Sequence, residues 1–390
     1  MKQFSLPLMM CGTILVLLLL PACARQPQPA RVEEITFQSG EFTLVGDLQL
    51  PAGTGPFPVV IFVHGSGESD RTNGMYFLPI MERMSRAGYA TFAWDTPGAG
   101  ESTGEIDPHH VISERAQILL EAIEVMKARP DIDPHRIGLW GGSQAGYVMP
   151  FALTQSEDIA FMICVSCPGI SGEDQTTYQA TAMALCSGTP QDQTERRTEL
   201  LAELDAARTY ETYDEYVHYR EVVDALFSTA TVVPQINRHG IIPEEAWLEN
   251  DPQFEGWWNP IEVIEQVTIP VLAIFGDTDR QMDPIQGAHA YREALEYAGN
   301  PRSRVEVFHA ANHAIIPSET GCPADEIPSE AEIQRVEQHV SSLGYESLDE
   351  AAAVIQADPY SPESLEILRI YSYAPGYLNL IEEWLIGLQP

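Results

Sequence analysis

The stretch Leu139-Trp-Gly-Gly-Ser-Gln-Ala-Gly146 decides the fold. An apolar run over 136–140 predicts a strand before it, and the apolar spacing over 144–153 predicts a helix after it. Ser143 then lies on the turn between the two. Gly141 and Ala145, two residues to either side of the serine, are small enough for a sharp turn, because larger side chains would collide across it. The pattern therefore predicts a strand, a tight turn that exposes a serine hydroxyl, and a helix.

Short apolar runs alternate with helical periodicity along the rest of the chain. Strands are predicted at 33–37, 42–50, 58–63, 89–94, 136–140, 159–165, 271–275 and 305–308, and helices at 75–88, 111–128, 144–153, 284–298 and 376–388. The first two strands flank Gly40 and fit an antiparallel hairpin. The run at 58–63 is continuous and β-branched, as expected for a strand buried on both faces of a parallel sheet. The later strands alternate with helices, so they should form a mostly parallel sheet with helices on both faces. The predicted fold class is α/β.

Acidic and basic partners for Ser143 follow later strands. A serine hydroxyl is a weak nucleophile that needs a base, and the base needs an acid to orient it. Asp277 and Asp279 follow the strand at 271–275, and His313 follows the last strand. Because the carboxyl ends of parallel strands share one edge of a sheet, these groups are expected to meet Ser143 there.

The chain order Ser, Asp, His and two further turns resemble the α/β-hydrolase superfamily, in particular its carboxylesterase and serine-aminopeptidase-like group. His64-Gly-Ser-Gly67, with Asp70-Arg71 after it, resembles the oxyanion turn of that group, and 95–102 resembles its next turn. The resemblance covers 36–313 outside an inserted cap. It departs from the family pattern at Ala145, where a second glycine is usual, and in an insertion after the catalytic histidine.

The resemblance implies a serine hydrolase with the α/β-hydrolase fold and a helical cap. The implied catalytic residues are Ser143 as nucleophile, Asp279 as acid and His313 as base. Backbone N–H groups of Gln144 and Ser66 would form the oxyanion hole. Asp277 stays open as an alternative acid. Six further histidines are interpreted as structural or surface residues: His64 in its turn, His309 in a local contact, His109 and His110 at a helix start, and His218 and His239 in the cap.

Two long stretches interrupt the alternation of strands and helices. Residues 171–260 are helix-rich and too long for a loop, so they are predicted to form a cap, in which Trp257 and Trp258 could contact the substrate. The predicted organisation is a signal peptide over 1–22, a tether over 23–31, core over 32–170, the cap, core over 261–320, an acidic helical insertion over 321–371 and a final core helix over 372–390.

The N-terminus predicts export. Lys2 precedes an apolar segment that ends at Leu20-Pro-Ala-Cys23, which resembles the lipobox of bacterial lipoprotein signals. The resemblance implies cleavage before Cys23, acylation of that cysteine and a membrane-anchored protein, in the outer membrane or periplasm if the cell is Gram-negative. A plain secretory signal and an uncleaved anchor are the alternatives.

Four cysteines stay in the exported chain besides Cys23. Cys164, Cys167, Cys186 and Cys322 allow three disulfide connectivities, and the sequence does not choose among them. Cys164 and Cys167 sit on and just after an apolar run, where buried structural thiols are expected.

Composition narrows the classes of partner. The 390 residues carry 21 Lys and Arg against 57 Asp and Glu, a net charge of −36, so the chain repels nucleic acid. A saline habitat fits this charge, and so does an evolutionary drift toward acidic residues with no adaptive role.

No P-loop, dinucleotide fingerprint or metal-ligand pattern is found, and the predicted enzyme uses no cofactor. Three functions stay open: a carboxylic ester hydrolase, which we favour, an aminopeptidase or amidase on the same triad, and a non-catalytic envelope protein.

Overall fold

The computed structural model describes residues 30–107, 110–170, 172–207, 212–229, 241, 243–244, 259–327, 329–370 and 373–389. Eight strands are present: β1 (Arg31–Ser39), β2 (Phe42–Leu50), β3 (Phe57–Val63), β4 (Ala90–Trp94), β5 (Ile132–Gly142), β6 (Ile159–Val165), β7 (Val271–Gly276) and β8 (Arg304–Phe308). The core helices are α1 (Leu78–Arg86), α2 (Val111–Lys127), α3 (Ala145–Leu153), α7 (Ile261–Ile264), α8 (Pro284–Tyr297) and α12 (Tyr377–Gly387). The inserted helices are α4 (Gly172–Cys186), α5 (Gln191–Ala207), α6 (Tyr213–Thr229), α9 (Glu330–Ser342), α10 (Leu348–Ala357) and α11 (Pro362–Leu368).

The strands form one sheet in the order β1-β2-β4-β3-β5-β6-β7-β8. β1 pairs with β2 and β2 with β4 in antiparallel fashion, and every later pair is parallel. This topology, with helices on both faces, is that of the α/β-hydrolase fold and confirms the predicted fold class. Because β5, β7 and β8 are parallel, the loops that follow them share the carboxyl edge of the sheet.

The central strands β3, β4, β6 and β7 are buried on both faces, which explains why they are apolar almost throughout. In β3, Val59 and Ile61 point into a core with α2, α3 and α8, whereas Val60 and Phe62 point into a core with α1 and α12. Successive side chains of a strand face opposite sides, so a strand between two helical layers has to be apolar at every position.

The inserted helices occupy the segments predicted as cap and acidic insertion. α4, α5 and α6 pack together through Ala180, Leu200, Val222 and Val223. α9, α10 and α11 surround a small core of their own that includes Leu78 of α1. A disulfide joins Cys186, at the end of α4, to Cys322, in the chain after β8, and so selects one pairing among the four cysteines. Across the described residues, no helix has the length and apolar character to cross a membrane.

Two element boundaries differ from the sequence prediction by three or more residues. β5 begins at Ile132 rather than 136, and Ile132 pairs with Phe57 across a register irregularity. α1 begins at Leu78 rather than 75, because Met75 has a φ of 74° and residues 71–77 form turns. A left-handed residue cannot continue into a right-handed helix.

Candidate active site

Ser143 occupies the sharp turn between β5 and α3. Its φ of 57° lies in the left-handed region, which residues other than glycine rarely adopt. A methyl group on Gly141 would lie 2.6 Å from the Cβ atom of Ala145, which shows why both positions are small. The Ser143 N–H donates to the carbonyl of Val165 at 3.0 Å and ties the turn to β6. The structure therefore places Ser143 on a strained strand-to-helix turn, as the sequence predicts.

Two buried thiols lie beneath this turn. Cys164 and Cys167 are free and buried, as expected for structural cysteines. The Cys167 thiol lies 3.6 Å from the Gly141 carbonyl oxygen, and a methyl group on Gly146 would lie 2.5 Å from the Cβ atom of Cys167. Gly146 is therefore required by close packing of α3 on the chain after β6.

The loop after β3 lies against the serine. A methyl group on Gly65 would be 3.3 Å from the Cβ atom of Ser143. His64, which precedes it, is buried, and its Nε2 atom lies 2.7 Å from the carbonyl oxygen of Trp94. Burial, reinforced by the nearby Arg115 charge, lowers the pKa of His64 to about 4. A carbonyl can only accept, so Nε2 carries the hydrogen, and the neutral ring fixes the start of the loop.

Asp279 and His313 form a buried pair. The Nδ1 atom of His313 lies 2.8 Å from Oδ2 of Asp279, and the two side chains are 16% and 1% exposed. The other carboxylate oxygen accepts from the backbone N–H groups of Gln281 and Met282 at 2.7 and 3.0 Å. A bond through Nδ1 selects the tautomer in which Nε2 is the basic nitrogen, and the loop bonds fix the carboxylate that holds it.

Asp277, the alternative acid, has a different partner. Its Oδ2 atom lies 2.7 Å from Nδ1 of His309, whose side chain is 94% exposed. His309 thus makes the local contact expected of it. The structure pairs Asp279, not Asp277, with His313.

Tyr76 links the loop that carries His313 to β5, the strand before the serine turn. The Tyr76 hydroxyl donates to the carbonyl of Ala314, the residue after His313, at 3.0 Å. The Tyr76 ring lies 6.3 Å from the ring of Trp140, three residues before Ser143. The loops that carry Ser143, His313 and Asp279 follow parallel strands and therefore lie at the same edge of the sheet.

Helix α4 of the cap contacts the acid loop directly. The Tyr178 hydroxyl donates to the carbonyl of Asp279 at 2.6 Å. Gln175 donates to the carbonyl of Gln281 and accepts from the N–H of Asp283. Burial and the charges of Asp279 and Asp283 raise the pKa of Tyr178 to about 12, so this hydroxyl stays a donor at neutral pH.

Several predicted residues lie outside the described part of the chain: Cys23, Trp257, Trp258, His109 and His239. Of the other histidines, His110 precedes α2, and His218 of the cap is exposed, 3.9 Å from Glu203. Within the described ranges, no group of three or more His, Cys, Asp or Glu side chains is placed to hold a metal ion.

Sequence reasoning missed Arg115. This buried residue of α2 donates to the backbone carbonyls of Gly65 and Gly67 and to the side chain of Gln144. A signal was present, because Arg115 falls on the apolar face of α2, three residues after Ile112 and one turn before Leu119. A charge at such a position needs a buried polar partner.

Comparison with known proteins identifies the family. A family model described as X-Pro dipeptidyl-peptidase (S15 family) matches residues 40–314. The match covers well over half of the chain and contains Ser143, Asp279 and His313. The chain belongs to the S15 family.

Relatives of this S15-family chain include an esterase and a thiohydrolase. It is 24% identical over 306 residues to esterase EstD of Thermotoga maritima, which covers 75% of this chain and 63% of EstD. It is 28% identical over 144 residues to thiohydrolase aneE of Aspergillus aculeatus, covering 35% of this chain and 43% of the other. The chain thus spans less than two thirds of these curated relatives. A solved esterase of Pyrococcus furiosus aligns at 18% identity with a TM-score of 0.45, over 73% of this chain and 84% of that one.

Proposed function

We propose that this S15-family chain hydrolyses carboxylic esters through an acyl-enzyme on Ser143. The observation that carries the proposal is the Asp279–His313 pair, bonded at 2.8 Å through Nδ1, at the same edge of the parallel sheet as a serine in a left-handed turn. A pair of this kind leaves the basic Nε2 atom of the imidazole to act on a hydroxyl. The similarity to esterase EstD supports the ester as substrate.

In the proposed first step, His313 Nε2 accepts the Ser143 proton as the hydroxyl oxygen attacks the acyl carbon. Asp279 holds the tautomer and stabilises the imidazolium that forms. The imidazolium then gives its proton to the leaving alcohol, and the acyl group stays on Ser143. In the second step, His313 takes a proton from water, the hydroxide attacks the acyl carbon, and the Ser143 oxygen leaves with the proton from the ring.

Two backbone N–H groups are proposed to hold the oxyanion, those of Ser66 and Gln144. Within the described part of the chain, neither N–H takes part in a hydrogen bond. Gln144 is only 5% exposed, and buried backbone donors without partners are rare in folded proteins. A negative oxygen above Ser143 would satisfy both donors, and each such donor is worth about 3–4 kcal/mol in the transition state.

The competing function is cleavage of a peptide or amide on the same triad. The description of the matching family, X-Pro dipeptidyl-peptidase, favours it. An amine is a poorer leaving group than an alcohol, so an amidase has to place its general acid more strictly, and it needs a subsite for the peptide. The two functions share the triad, so they can be distinguished only by the substrate that the enzyme cleaves.

The test labels the wild type and two variants with a fluorophosphonate probe and assays p-nitrophenyl esters against Gly-Pro p-nitroanilide. Ser143→Ala should lose labelling and ester turnover while keeping its fold. Ser166→Ala is the matched control, because Ser166 also has a positive φ, 48°, and follows the neighbouring strand β6; it should keep both. Anilide turnover well above ester turnover would favour the peptidase. An unlabelled wild type would leave a non-catalytic protein on a hydrolase scaffold.

We also propose that Cys23 is lipidated and anchors the exported protein to a membrane. In a Gram-negative cell this would be the outer membrane. The apolar segment before Leu20-Pro-Ala-Cys23 supports this, and two or three acyl chains suffice for stable anchoring. Wild-type protein expressed in a bacterium should incorporate an alkyne palmitate analogue and partition into detergent, and Cys23→Ser should do neither. A wild type that stays in the aqueous phase would contradict the anchor.

A further inference from the structure

One buried cation touches both halves of the proposed oxyanion hole. Nη1 of Arg115 donates to the Gly65 carbonyl and to Oε1 of Gln144, the latter at 2.7 Å. Nη2 donates to the Gly67 carbonyl at 3.1 Å. Gly65 and Gly67 flank Ser66, and Gln144 follows Ser143. The guanidinium therefore bridges the loop after β3 and the serine turn.

Arg115 has no carboxylate partner in the described part of the chain. Acidic groups are abundant nearby: Arg71, in the same loop region, pairs with Glu34, Asp47, Asp95 and Glu101. A buried cation without a counter-charge destabilises a fold. Burial lowers the pKa of Arg115 to about 10, so the group still carries its charge at neutral pH. A charge that is buried without a carboxylate partner indicates a role that a neutral side chain could not fill.

We propose that Arg115 is a positioning residue that aims the two oxyanion donors at the carbonyl oxygen attacked by Ser143. The inference rests on the proposed function and extends it to a residue that does not touch the substrate. In a trans peptide, the C=O and N–H bonds point in opposite directions. Drawing the Gly65 carbonyl toward the guanidinium therefore turns the Ser66 N–H to the other side of that peptide.

The bond to Gln144 fixes the second donor in the same way. Gln144 precedes α3 and is buried, so anchoring its side chain restricts rotation of the residue whose N–H is proposed to face the oxyanion. A positive charge on a peptide oxygen also polarises the peptide and strengthens its N–H as a donor. Arg115 thus both orients the two N–H donors and strengthens them electrostatically. Among the described contacts of Gly65, Gly67 and Gln144 there is no other buried cation.

The experiment compares Arg115→Met, which keeps an unbranched side chain but loses the charge and the donors, with Arg115→Lys, which keeps a charge but not the fork of the guanidinium. For a p-nitrophenyl ester, kcat should fall about 10²–10³-fold in the Met variant, with KM changed less than about threefold, because the donors act on the transition state. The Lys variant should lie between the Met variant and wild type. The matched control is Arg129→Met, just past the other end of α2, where Arg129 pairs with Glu33 and Asp131; its kcat should not change.

A trifluoromethyl ketone, whose adduct with the serine carries an oxyanion, separates positioning from general damage. Its inhibition constant should rise in step with the loss of kcat/KM across the Arg115 variants, whereas a merely structural role would leave the constant unchanged. If Arg115→Met does not fold, Gln144→Met tests the same bridge, and it should lower kcat about tenfold while its backbone N–H remains. A folded Arg115→Met with wild-type kcat, or an unchanged inhibition constant, overturns the inference. Ester turnover that survives Ser143→Ala would instead overturn the proposed function.

Discussion

His64 should make the protein sensitive to acid. Its ring is 3% exposed, its Nε2 atom donates to the Trp94 carbonyl, and its Nδ1 atom has no hydrogen-bond partner among the described residues. Protonation would put a charge on Nδ1 in a dry interior near the Arg115 guanidinium. Burial first, and the Arg115 charge second, therefore lower the pKa of His64 from 6.5 to about 4.

The sign and size of the effect follow from this pKa. Above pH 6.5 the imidazole is neutral in both the folded and the unfolded chain, so this residue adds no pH dependence. Between pH 6.5 and about 4 the unfolded chain binds a proton that the folded chain excludes, and the free energy of unfolding falls by about 1.4 kcal/mol per pH unit. Below pH 4 both states are protonated and the loss stops, at about 3 kcal/mol in total.

Urea unfolding followed by tryptophan fluorescence, at half-unit steps from pH 7.5 to 4, measures this loss. The comparison is with His64→Gln, whose amide can still donate to the Trp94 carbonyl but does not titrate. Subtracting the variant from the wild type removes the contributions of the other histidines, so the difference should be flat above pH 6.5 and fall below it. Parallel curves over the whole range would refute the assignment of a neutral, buried His64.

Three further predictions concern the loops around the site. Asp279→Asn should lower kcat for esters about 10³–10⁴-fold with little change in KM, because the amide favours the wrong imidazole tautomer; steady-state kinetics measures this. Gly276→Ala should abolish activity, because the new methyl would lie 2.3 Å from the Ala311 carbonyl oxygen and force the acid and imidazole loops apart; a folded, fully active variant would contradict it. Replacing Cys186 and Cys322 together by serine should lower the free energy of unfolding by about 5 kcal/mol, since the bond closes a loop of 136 residues; denaturant titration of the oxidised wild type and the variant measures the difference.

The parts of the site that sequence predicts are those with local causes. The turn at Ser143 requires small neighbours two residues away, and such a pattern is visible in eight letters. Asp279 and His313 follow apolar strands, so the topology of a parallel sheet brings them to the same edge. The spacing of the sequence does not say which aspartate orients His313. The structure shows this, because Asp277 bonds to His309 and Asp279 bonds to His313.

The parts that sequence does not predict depend on contacts between distant segments. The start of β5 at Ile132 is hidden by Asp-Pro-His, which breaks the apolar run, and only pairing with Phe57 extends the strand. The Cys186–Cys322 bond is one of the six bonds that four cysteines can form, and the fold selects it by bringing two inserted segments together. The sequence shows Arg115 only as a residue on a helix, because its carbonyl partners lie in the loop after β3, about 50 residues earlier in the chain.

The same contacts constrain how the cap can move. Asp279 is held from two sides: its carboxylate accepts from its own loop, and its backbone carbonyl accepts from Tyr178 of α4. Gln175 holds the next residues of that loop, and the disulfide at Cys186 ties the far end of α4 to the chain after β8. A helix fastened at both ends to the loops that carry the acid and follow the imidazole cannot swing away without displacing them. Helix α4 is therefore part of the framework that positions Asp279, and any opening of the cap that preserves the triad has to leave α4 in place.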